Sequence, residues 1–328
     1  MFLAVAPVRA DTLRLAFWHT ELFRDGPGLL LRDILKGEDQ VTAVVSGLAT
    51  IRADVLVLAS IDYDHDRAAL RALREAIARA GGPDYPHLFT ALPNTGLPTG
   101  LDLDDDGRLG GPGDAQGYGR FAGQGGLAIL SLHPLTLIED HSARLWRDIP
   151  DTLLVDAQGR VGAQATGADI QRLSTTAHWE VGMQPPTGPE LRIMTFHATP
   201  PVFDGPEDRN GRRNHDEVLF WAHRLDGRIG AAPAGPFVIM GAANLPPDGG
   251  DGRTEAIRRL LAHPRFQDAP DLHGKPTVNW PDPGPGKLRV DYVLPSADLT
   301  IRGAQLMAAD PKASRHVPVI VDLDWPPP

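Results

Sequence analysis

Short apolar runs typical of buried strands recur along the whole chain, and they constrain its fold more than any other feature. The clearest are the segments 53–60 (ADVLVLAS), 126–131 (GLAILS), 190–197 (ELRIMTFH) and 237–241 (FVIMG). Further strands are predicted at 12–18, 288–294 and 317–323. Runs of four to eight apolar residues between turn signals are typical of strands covered on both faces. The chain is therefore predicted to build a large sheet-based core.

Helical patterns lie between these strands. Helices are predicted over 26–35, 39–51 and 66–82, and near 214–224 and 253–262. Asp66 is the predicted N-cap of the third helix, because its carboxylate can accept bonds from the first free backbone N–H groups. Mixed strands and helices without a low-complexity linker indicate one α/β domain. We place it at residues 12–328, after a tail of residues 1–11.

Composition narrows the classes of partner. The net charge is −10, and 32 scattered basic residues are outnumbered by 42 acidic ones. Proteins that grip nucleic acid usually cluster Lys and Arg against the phosphates, so the composition argues against a nucleic-acid partner. Since the chain has no cysteine, it has neither disulfides nor thiolate metal ligands. No stretch is long enough to span a membrane. The ligand or protein partner stays unknown.

The first ten residues, MFLAVAPVRA, allow two interpretations. Val8-Arg9-Ala10 has the small-x-small pattern of a signal-peptidase site, although a basic start is missing. One interpretation is the end of a signal peptide, which predicts a periplasmic or secreted protein. The other is a short tail leading into the first strand of a cytoplasmic protein.

The predicted strand ends carry a series of polar motifs. In chain order they read FWHTELFRDG, LASID, GRFAGQGGLAILS, TFHATPPVFDG, GAANLPPDGGDG, LRVDYVLPS and ASRH. In this order they resemble the endonuclease/exonuclease/phosphatase family, which is exonuclease III-like, over about residues 12–324. The resemblance implies a four-layer α/β/β/α sandwich with two packed mixed β-sheets. It also implies a metal-dependent phosphoesterase with Asn, Glu, Asp and His at the ends of the central strands.

Four of the positions that the resemblance marks as functional are substituted. His19 stands in place of an Asn, Ser60 in place of the metal-binding Glu, and Ala242 in place of the Asp of the family's GDxN motif. Arg315 reverses the charge of an Asp in the family's SDH motif. Phosphodiester cleavage by this chemistry needs a hard divalent cation held by carboxylates. The substitutions therefore predict that catalytic Mg²⁺ or Mn²⁺ is not bound.

Other family positions survive. They are His197, Asn244, Asp291 and His316, with the acids Glu21 and Asp62 nearby. The resemblance implies that Asp291 orients His316. The preferred interpretation is a family member without metal-dependent phosphoesterase activity, with a binding or scaffolding role. One alternative is a residual or remodelled phosphoesterase acting on a small phosphoester.

The histidines raise a further alternative. In the family frame His19, His197 and His316 should converge on one centre, with Asp291 behind one of them. Three imidazoles with a carboxylate behind one resemble a three-histidine zinc site. Arg315 beside them counts against a cation. For each histidine taken singly, ordinary packing of a polar residue at a strand end is the preferred interpretation.

A separate acidic loop, GLDLDDDGRLGGPGD (100–114), matches the start of a calcium-binding loop. Asp102, Asp104 and Asp106 occupy alternate positions before Gly107. In a calcium-binding loop this spacing points the carboxylate oxygens toward the ion. Asp114 lies one position after the place where a calcium-binding loop has its last acidic ligand. The loop predicts a Ca²⁺ site, and with it a calcium-sensing module as another alternative function. The alternative interpretation is an acidic loop that is exposed to solvent and binds no ion. Arg212 and Arg213 (NGRRNHDE) could face a phosphate, but a charged helix start is the simpler interpretation.

Overall fold

Two β-sheets dominate the protein, seen in a computed structural model that describes residues 11–308 and 310–327. The strands of the first sheet are Asp11–Leu22 (β1), Val55–Ile61 (β2), His87–Phe89 (β3), Gly126–Ser131 (β4), Ile301–Leu306 (β12) and Val319–Trp325 (β13). Their order is β12-β13-β1-β2-β4-β3. β1 and β2 run parallel, and the other neighbours are antiparallel. The proposed signal-peptidase pattern at Val8–Ala10 lies outside the described residues.

The second sheet has five strands. They are Leu135–Asp140 (β5), His178–Met183 (β6), Leu191–His197 (β7), Phe237–Ala242 (β8) and Asp291–Pro295 (β11). Their order is β11-β8-β7-β6-β5, with β7 and β8 parallel. A separate hairpin pairs Val278–Trp280 (β9) with Gly286–Leu288 (β10).

Helices cover the outer face of each sheet. They are Leu29–Lys36 (α1), Asp39–Ile51 (α2), Ala68–Arg79 (α3), Arg209–Leu225 (α4) and Thr254–Leu261 (α5). One buried apolar cluster joins the two sheets, a second joins the first sheet to α1–α3, and a third joins the second sheet to α4 and α5. The predicted four-layer sandwich is confirmed. No helix in the described part of the chain is both long and apolar enough to cross a bilayer.

The helix starts refine the sequence predictions. α2 matches its prediction, and its backbone N–H groups at Gln40 and Val41 donate to the Glu38 side chain. The prediction of Asp66 as the cap of α3 is wrong. The Asp64 carboxylate accepts from the N–H groups of Ala68 and Ala69 instead. Asp64 lies far enough before the helix for its side chain to fold back over the first turn. The Asp66 side chain does not cap these N–H groups.

α4 begins five residues earlier than predicted. Its polar first turns are buried, because their side chains bond to loop backbone rather than to water. Asn214 donates to the carbonyls of Thr199 and Ala243, both at 2.7 Å. Arg213 donates to the Leu173 carbonyl at 2.8 Å. Arg213 therefore fastens loops, and the hypothesis that it faces a phosphate is not supported.

Candidate functional site

The ends of the parallel strands meet at one edge of the sandwich. β1 ends just after His19, β2 just after Ser60, β7 at His197 and β8 at Ala242. β11 and β13 run antiparallel to their neighbours β8 and β1, so their beginnings lie at this same edge. The topology thereby collects side chains from six strands, as α/β folds do at the carboxyl ends of their parallel strands.

Three histidines form the centre of this edge, and we call His19, His197 and His316 the histidine cluster. The rings of His19 and His316 stack, with centroids 4.1 Å apart and planes 21° apart. The His197 ring meets His19 edge to face at 4.9 Å. The convergence that the sequence predicts is therefore present, although it joins residues almost 300 positions apart in the chain.

Asp291 lies behind the cluster and holds His316 in place. The Nδ1 atom of His316 is 2.7 Å from a carboxylate oxygen of Asp291, and both residues are only 1% exposed. Trp280 of the β9–β10 hairpin meets His316 edge to face, at 5.5 Å between ring centroids. His316 therefore has a fixed orientation, and its Nδ1 atom carries the proton that the carboxylate accepts.

The other two histidines have buried nitrogens without partners. Among the described residues, the Nδ1 atoms of His19 and His197 are enclosed and make no hydrogen bond. Burial, followed by the charge of His316, lowers the pKa of His197 to about 4. Burial and the charges of His316 and His197 also hold the pKa of His19 well below its ordinary value. Both rings are therefore neutral at physiological pH.

A charge pair occupies the rim of the site. The Arg315 Nε–H donates to one oxygen of Glu21 at 2.8 Å, and Nη2 donates to the same oxygen. The other oxygen accepts from the Arg315 backbone N–H at 2.8 Å and from the Ser314 hydroxyl at 3.1 Å. Burial opposes ionisation of Glu21, but the bonds from Arg315 outweigh it and lower its pKa. Arg315 thus occupies both oxygens of the acid.

Asp62, the second acid of the cleft, is committed to backbone groups. Its two oxygens accept from the N–H groups of Arg24 at 2.8 Å and Gly125 at 2.9 Å. Burial raises the pKa of Asp62 to about 6. A carboxyl group whose oxygens are held by backbone N–H groups and whose ionisation is disfavoured by burial is a weaker ligand for a hard cation than a free carboxylate.

The backbone at this edge keeps an unusual conformation. Glu21, Ser60 and Asn244 have φ values of 52°, 60° and 50°, in the left-handed region that non-glycine residues seldom occupy. Each follows or ends a central strand. Asn244 is further fixed by a 2.8 Å bond from its amide to the Ala198 carbonyl. Such conformations cluster at functional sites, where the surrounding structure holds them.

Comparison with known proteins decides the family. A model of the Endonuclease/Exonuclease/phosphatase family matches residues 26–316. The chain belongs to this family. No protein with a curated function matches the sequence.

Solved structures of family members share the fold. An endonuclease/exonuclease/phosphatase from Beutenbergia cavernae is 19% identical with a TM-score of 0.59, covering 96% of this chain and 72% of that one. The human Nocturnin catalytic domain with bound sulfate is 16% identical with a TM-score of 0.53, covering 96% and 97%. A sphingomyelinase C from Streptomyces griseocarneus is 15% identical with a TM-score of 0.52, covering 95% and 99%. At these identities the likeness establishes the fold alone.

Within this family frame, the residues present do not fit a hard divalent cation. Ser60 and Ala242 offer no carboxylate at the positions where the family resemblance implies a Glu and an Asp. Glu21 is occupied by Arg315, and Asp62 by two backbone N–H groups. A site for Mg²⁺ or Mn²⁺ needs free carboxylate oxygens and an environment without a competing cation.

The geometry also bears on the three-histidine zinc hypothesis. A metal lies in the plane of each imidazole that binds it, along the nitrogen lone pair. The near-parallel planes of His19 and His316 do not share such a point close to both rings. In the described residues, the groups with three ligand atoms within 4.8 Å of one another are Asp102–Asp104–Asp106 and Glu139–His141–Glu180. The zinc hypothesis stays a prediction. A zinc site at this position would require one of the two stacked rings to rotate.

The acidic loop brings together three of its four predicted ligands. Asp102, Asp104 and Asp106 approach one another as the spacing predicts, and Gly107 makes the turn with a φ of 79°. Asp114 is not in this group. Its carboxylate accepts from the backbone N–H groups of Leu103 at 2.8 Å and Gly111 at 3.1 Å, because it closes the loop from inside.

The sequence analysis missed the group around Glu180. This carboxylate is fully buried and receives bonds from His141 at 2.9 Å, from Arg224 at 2.6 Å and from Arg192. Two guanidinium groups neutralise the acid, so the group is an ion-pair network rather than a metal site. The only local signal for this group was the alternating pattern HWEVGM (178–183). That pattern does not indicate which side chains a buried Glu would contact.

Proposed function

We propose that this endonuclease/exonuclease/phosphatase family member has lost metal-dependent phosphoester hydrolysis and uses its strand-end cleft to bind a ligand. The observation that carries the proposal is the Arg315–Glu21 pair, in which the guanidinium binds one oxygen of an acid beside the expected metal position and the Arg315 backbone N–H binds the other. The guanidinium supplies the positive charge that a metal ion would otherwise supply, and both oxygens of the acid already accept hydrogen bonds.

The chemistry of the remaining residues supports the same proposal. Hydrolysis needs an activated water and stabilisation of the charge that develops on the phosphoryl oxygens. His316 with Asp291 retains the parts of a general base. Ser60 and Ala242 supply neither a metal ligand nor an anionic group, so the largest electrostatic contribution to the family's chemistry is missing.

The test is a hydrolysis assay of the purified protein with Mg²⁺ or Mn²⁺. We expect no metal-dependent turnover of bis-(p-nitrophenyl) phosphate, DNA or inositol phosphates. The His316→Ala variant serves as the control, since it removes the one candidate base without touching the Arg315–Glu21 pair. Metal-dependent turnover that disappears in His316→Ala would overturn the proposal.

A remodelled phosphoesterase is the second candidate, and the intact Asp291–His316 pair at 2.7 Å favours it. This candidate requires turnover of a small phosphoester that depends on a divalent cation and disappears in Asp291→Ala. The zinc version of this candidate requires that the activity be lost in EDTA and return with Zn²⁺.

We also propose that the loop 102–114 binds Ca²⁺ through Asp102, Asp104 and Asp106. Burial and the charges of Asp106, Asp114 and Asp102 raise the pKa of Asp104, which indicates mutual repulsion that a cation would relieve. Such loops suit an exported protein. Binding to this loop is independent of the strand-end cleft.

A further inference from the structure

The first half of α4 presents polar side chains to the interior of the sandwich. Asn214 and Glu217 are both fully buried. They lie three residues apart in the helix, so their side chains project from the same face. Burying an amide or an acid is costly unless hydrogen bonds satisfy it. The partners of these two side chains therefore show what this face of the helix holds in place.

Glu217 joins two loops at the strand-end edge. One of its oxygens accepts from the backbone N–H of Thr199 at 2.7 Å, and the other accepts from the backbone N–H of Thr175. Thr199 lies two residues after the end of β7, and Thr175 lies three residues before the antiparallel β6 begins. Burial raises the pKa of Glu217 to about 7. A protonated carboxyl keeps lone pairs on both oxygens, so the two bonds do not depend on its protonation state.

Asn214 extends this connection to the loop after β8. Its amide donates to the carbonyls of Thr199 and Ala243, so Thr199 is held at its N–H by Glu217 and at its carbonyl by Asn214. The side-chain oxygen of Asn214 is enclosed and has no partner among the described residues. Folds retain the cost of such an atom mainly where function requires it.

Two further hydrogen bonds carry the connection into the cleft. The Ala198 N–H donates to the Ala242 carbonyl at 2.9 Å, and the Asn244 amide donates to the Ala198 carbonyl at 2.8 Å. Ala198 stands between Thr199 and His197 of the histidine cluster. Since the Nδ1 atom of His197 is enclosed without a partner among the described residues, the backbone and the ring contact with His19 set the place of this ring.

We infer that Glu217 is a positioning residue of the strand-end cleft. From the α4 side of the second sheet it fixes the loop after β7, and through that loop the His197 ring and the Asn244 side chain. The inference rests on the proposed function, because that proposal makes the cleft the binding site. A cleft whose groups are held in place before a ligand arrives loses less conformational freedom on binding.

The adjacent acid of α4 supplies a control for a purely structural role. Asp216 is also buried, and its carboxylate accepts from the indole N–H of Trp146 at 2.6 Å and the Leu153 N–H at 2.8 Å. Both partners lie in the segment between β5 and β6, away from the exits of β7 and β8. Asp216→Ala removes both bonds and should destabilise the fold without reaching the cleft. Glu217→Gln keeps the size of the side chain, but its NH₂ group cannot accept from one of the two loop N–H groups.

NMR spectra of the full chain near pH 7 compare wild type with Glu217→Gln and Asp216→Ala. In Glu217→Gln an unsatisfied donor favours loop opening, so we expect amide exchange at Thr199 to accelerate at least about tenfold. The ring signals of His197 and the side-chain amide signals of Asn244 should shift as well. In Asp216→Ala these signals should keep their wild-type positions, although urea unfolding shows a lower stability. Unchanged cleft signals in a folded Glu217→Gln protein, or equal shifts in both variants, would overturn the inference. No hydrolysis is measured, so this inference and the proposed loss of hydrolysis fail separately.

Hydrogen exchange of the wild-type protein gives a readout that does not depend on the folding of any variant. Thr175 and Thr199 lie in loops, where backbone amides ordinarily exchange quickly. The bonds to Glu217 should make both amides exchange at least about tenfold more slowly than the amide of Phe203, an exposed residue of the same loop as Thr199. A Thr199 amide that exchanges as fast as that of Phe203 would show that Glu217 does not hold this loop, and the inference would fail.

Discussion

The Glu180 network and the histidine cluster are both buried polar groups, and they are built in opposite ways. Around Glu180 each oxygen of the acid is bonded: one accepts from His141 and Arg224, the other from Arg192. In the histidine cluster, two enclosed ring nitrogens have no partner among the described residues. The first group lies on the outer face of the second sheet against α4, and the second lies at the open strand ends.

The difference separates structural from ligand-binding roles. A buried charge is tolerated when partners satisfy it, and breaking such a network is strongly destabilising. A buried polar atom without a partner costs roughly 1–3 kcal/mol, and folds retain that cost mainly where function requires it. By this reasoning the Glu180 network holds the fold together, whereas the histidine cluster keeps an uncompensated polar cost at the cleft that we propose binds a ligand.

The largest expected effect comes from Glu180→Gln. It leaves Arg192 and Arg224 without their counter-charge, so we expect a loss of about 3–5 kcal/mol of unfolding free energy near pH 7. Glu75→Gln, in an exposed pair with Arg79 on α3, is the matched control and should cost less than about 0.5 kcal/mol. Urea unfolding measures both. A loss below that of the control would contradict the structural role.

The pH dependence of this loss follows from the pKa of Glu180. Burial raises this pKa, but the bonds from His141 and Arg224 outweigh burial and lower it to about 2, from an ordinary 4.5. A lowered folded-state pKa contributes stability that is complete above 4.5 and is lost as the pH falls through 2. The gap between wild type and Glu180→Gln should therefore narrow over this range.

Arg315→Asp should have the next largest effect. It removes the cation from Glu21 and adds an acid, so we expect a loss of about 1–3 kcal/mol without metal. Millimolar Mg²⁺ or Mn²⁺ should restore part of it by binding the new carboxylates. Hydrolytic activity should not return, because Ser60 and Ala242 still lack ligand oxygens. Thermal unfolding with and without metal measures the effect.

Arg315→Lys is the control for this variant. It keeps the charge but cannot make the two-pronged contact, so its loss should be smaller and should not respond to metal. If the Arg315→Asp protein were as stable as wild type in EDTA, the guanidinium would not be needed to neutralise the acids of the cleft.

Replacing one histidine from each group tests the comparison directly. In His141→Leu, Glu180 and Arg144 lose a partner, so we expect destabilisation by about 1–3 kcal/mol. In His197→Leu an unsatisfied nitrogen disappears, so we expect stability to stay level or rise by up to about 1 kcal/mol. Urea unfolding near pH 7 compares the two. Equal losses would remove the distinction between the groups.

The smallest expected effect is that of Ca²⁺ on the loop 102–114. Linkage predicts a gain of about 0.4 kcal/mol when free Ca²⁺ equals its dissociation constant, and more above it. The melting temperature should rise with added CaCl₂ in the wild type and stay constant in the double variant Asp104→Ala/Asp106→Ala. Asp114→Asn should lower stability with or without Ca²⁺, since it loosens the loop closure. A wild type that does not respond to millimolar Ca²⁺ would refute the site.

Much of the fold was predictable because local patterns encode it. Apolar runs such as GLAILS produce β4 with the predicted bounds, and the 3.6-residue period of 39–51 produces α2. The strands that were missed are β3, β5, β6, β9, β10 and β12. Most of these are short, lie at sheet edges or carry polar residues, so their local patterns are weak. β6 is buried throughout, but Glu180 on its α4-facing side interrupts the apolar run.

The sequence by itself determined which residues stand at the functional strand ends. Four substitutions are recognisable because each stands in a motif that keeps its place in the series: His19, Ser60, Ala242 and Arg315. The order of those motifs also determined the family, which the match over residues 26–316 confirms. This information is local, because it depends on motif and position rather than on packing.

Only the tertiary structure decided how these residues pair. The contact of Arg315 with Glu21 joins positions 294 residues apart, and no sequence pattern distinguishes Glu21 from Asp62 as its partner. The stacking of His19 on His316, and the choice of Asp64 rather than Asp66 as a cap, likewise depend on strand register and loop path. Two side chains pair across a fold only when they are close together and correctly oriented. A sequence pattern specifies which face of an element a side chain lies on, but it does not specify where the polar atoms of that side chain point.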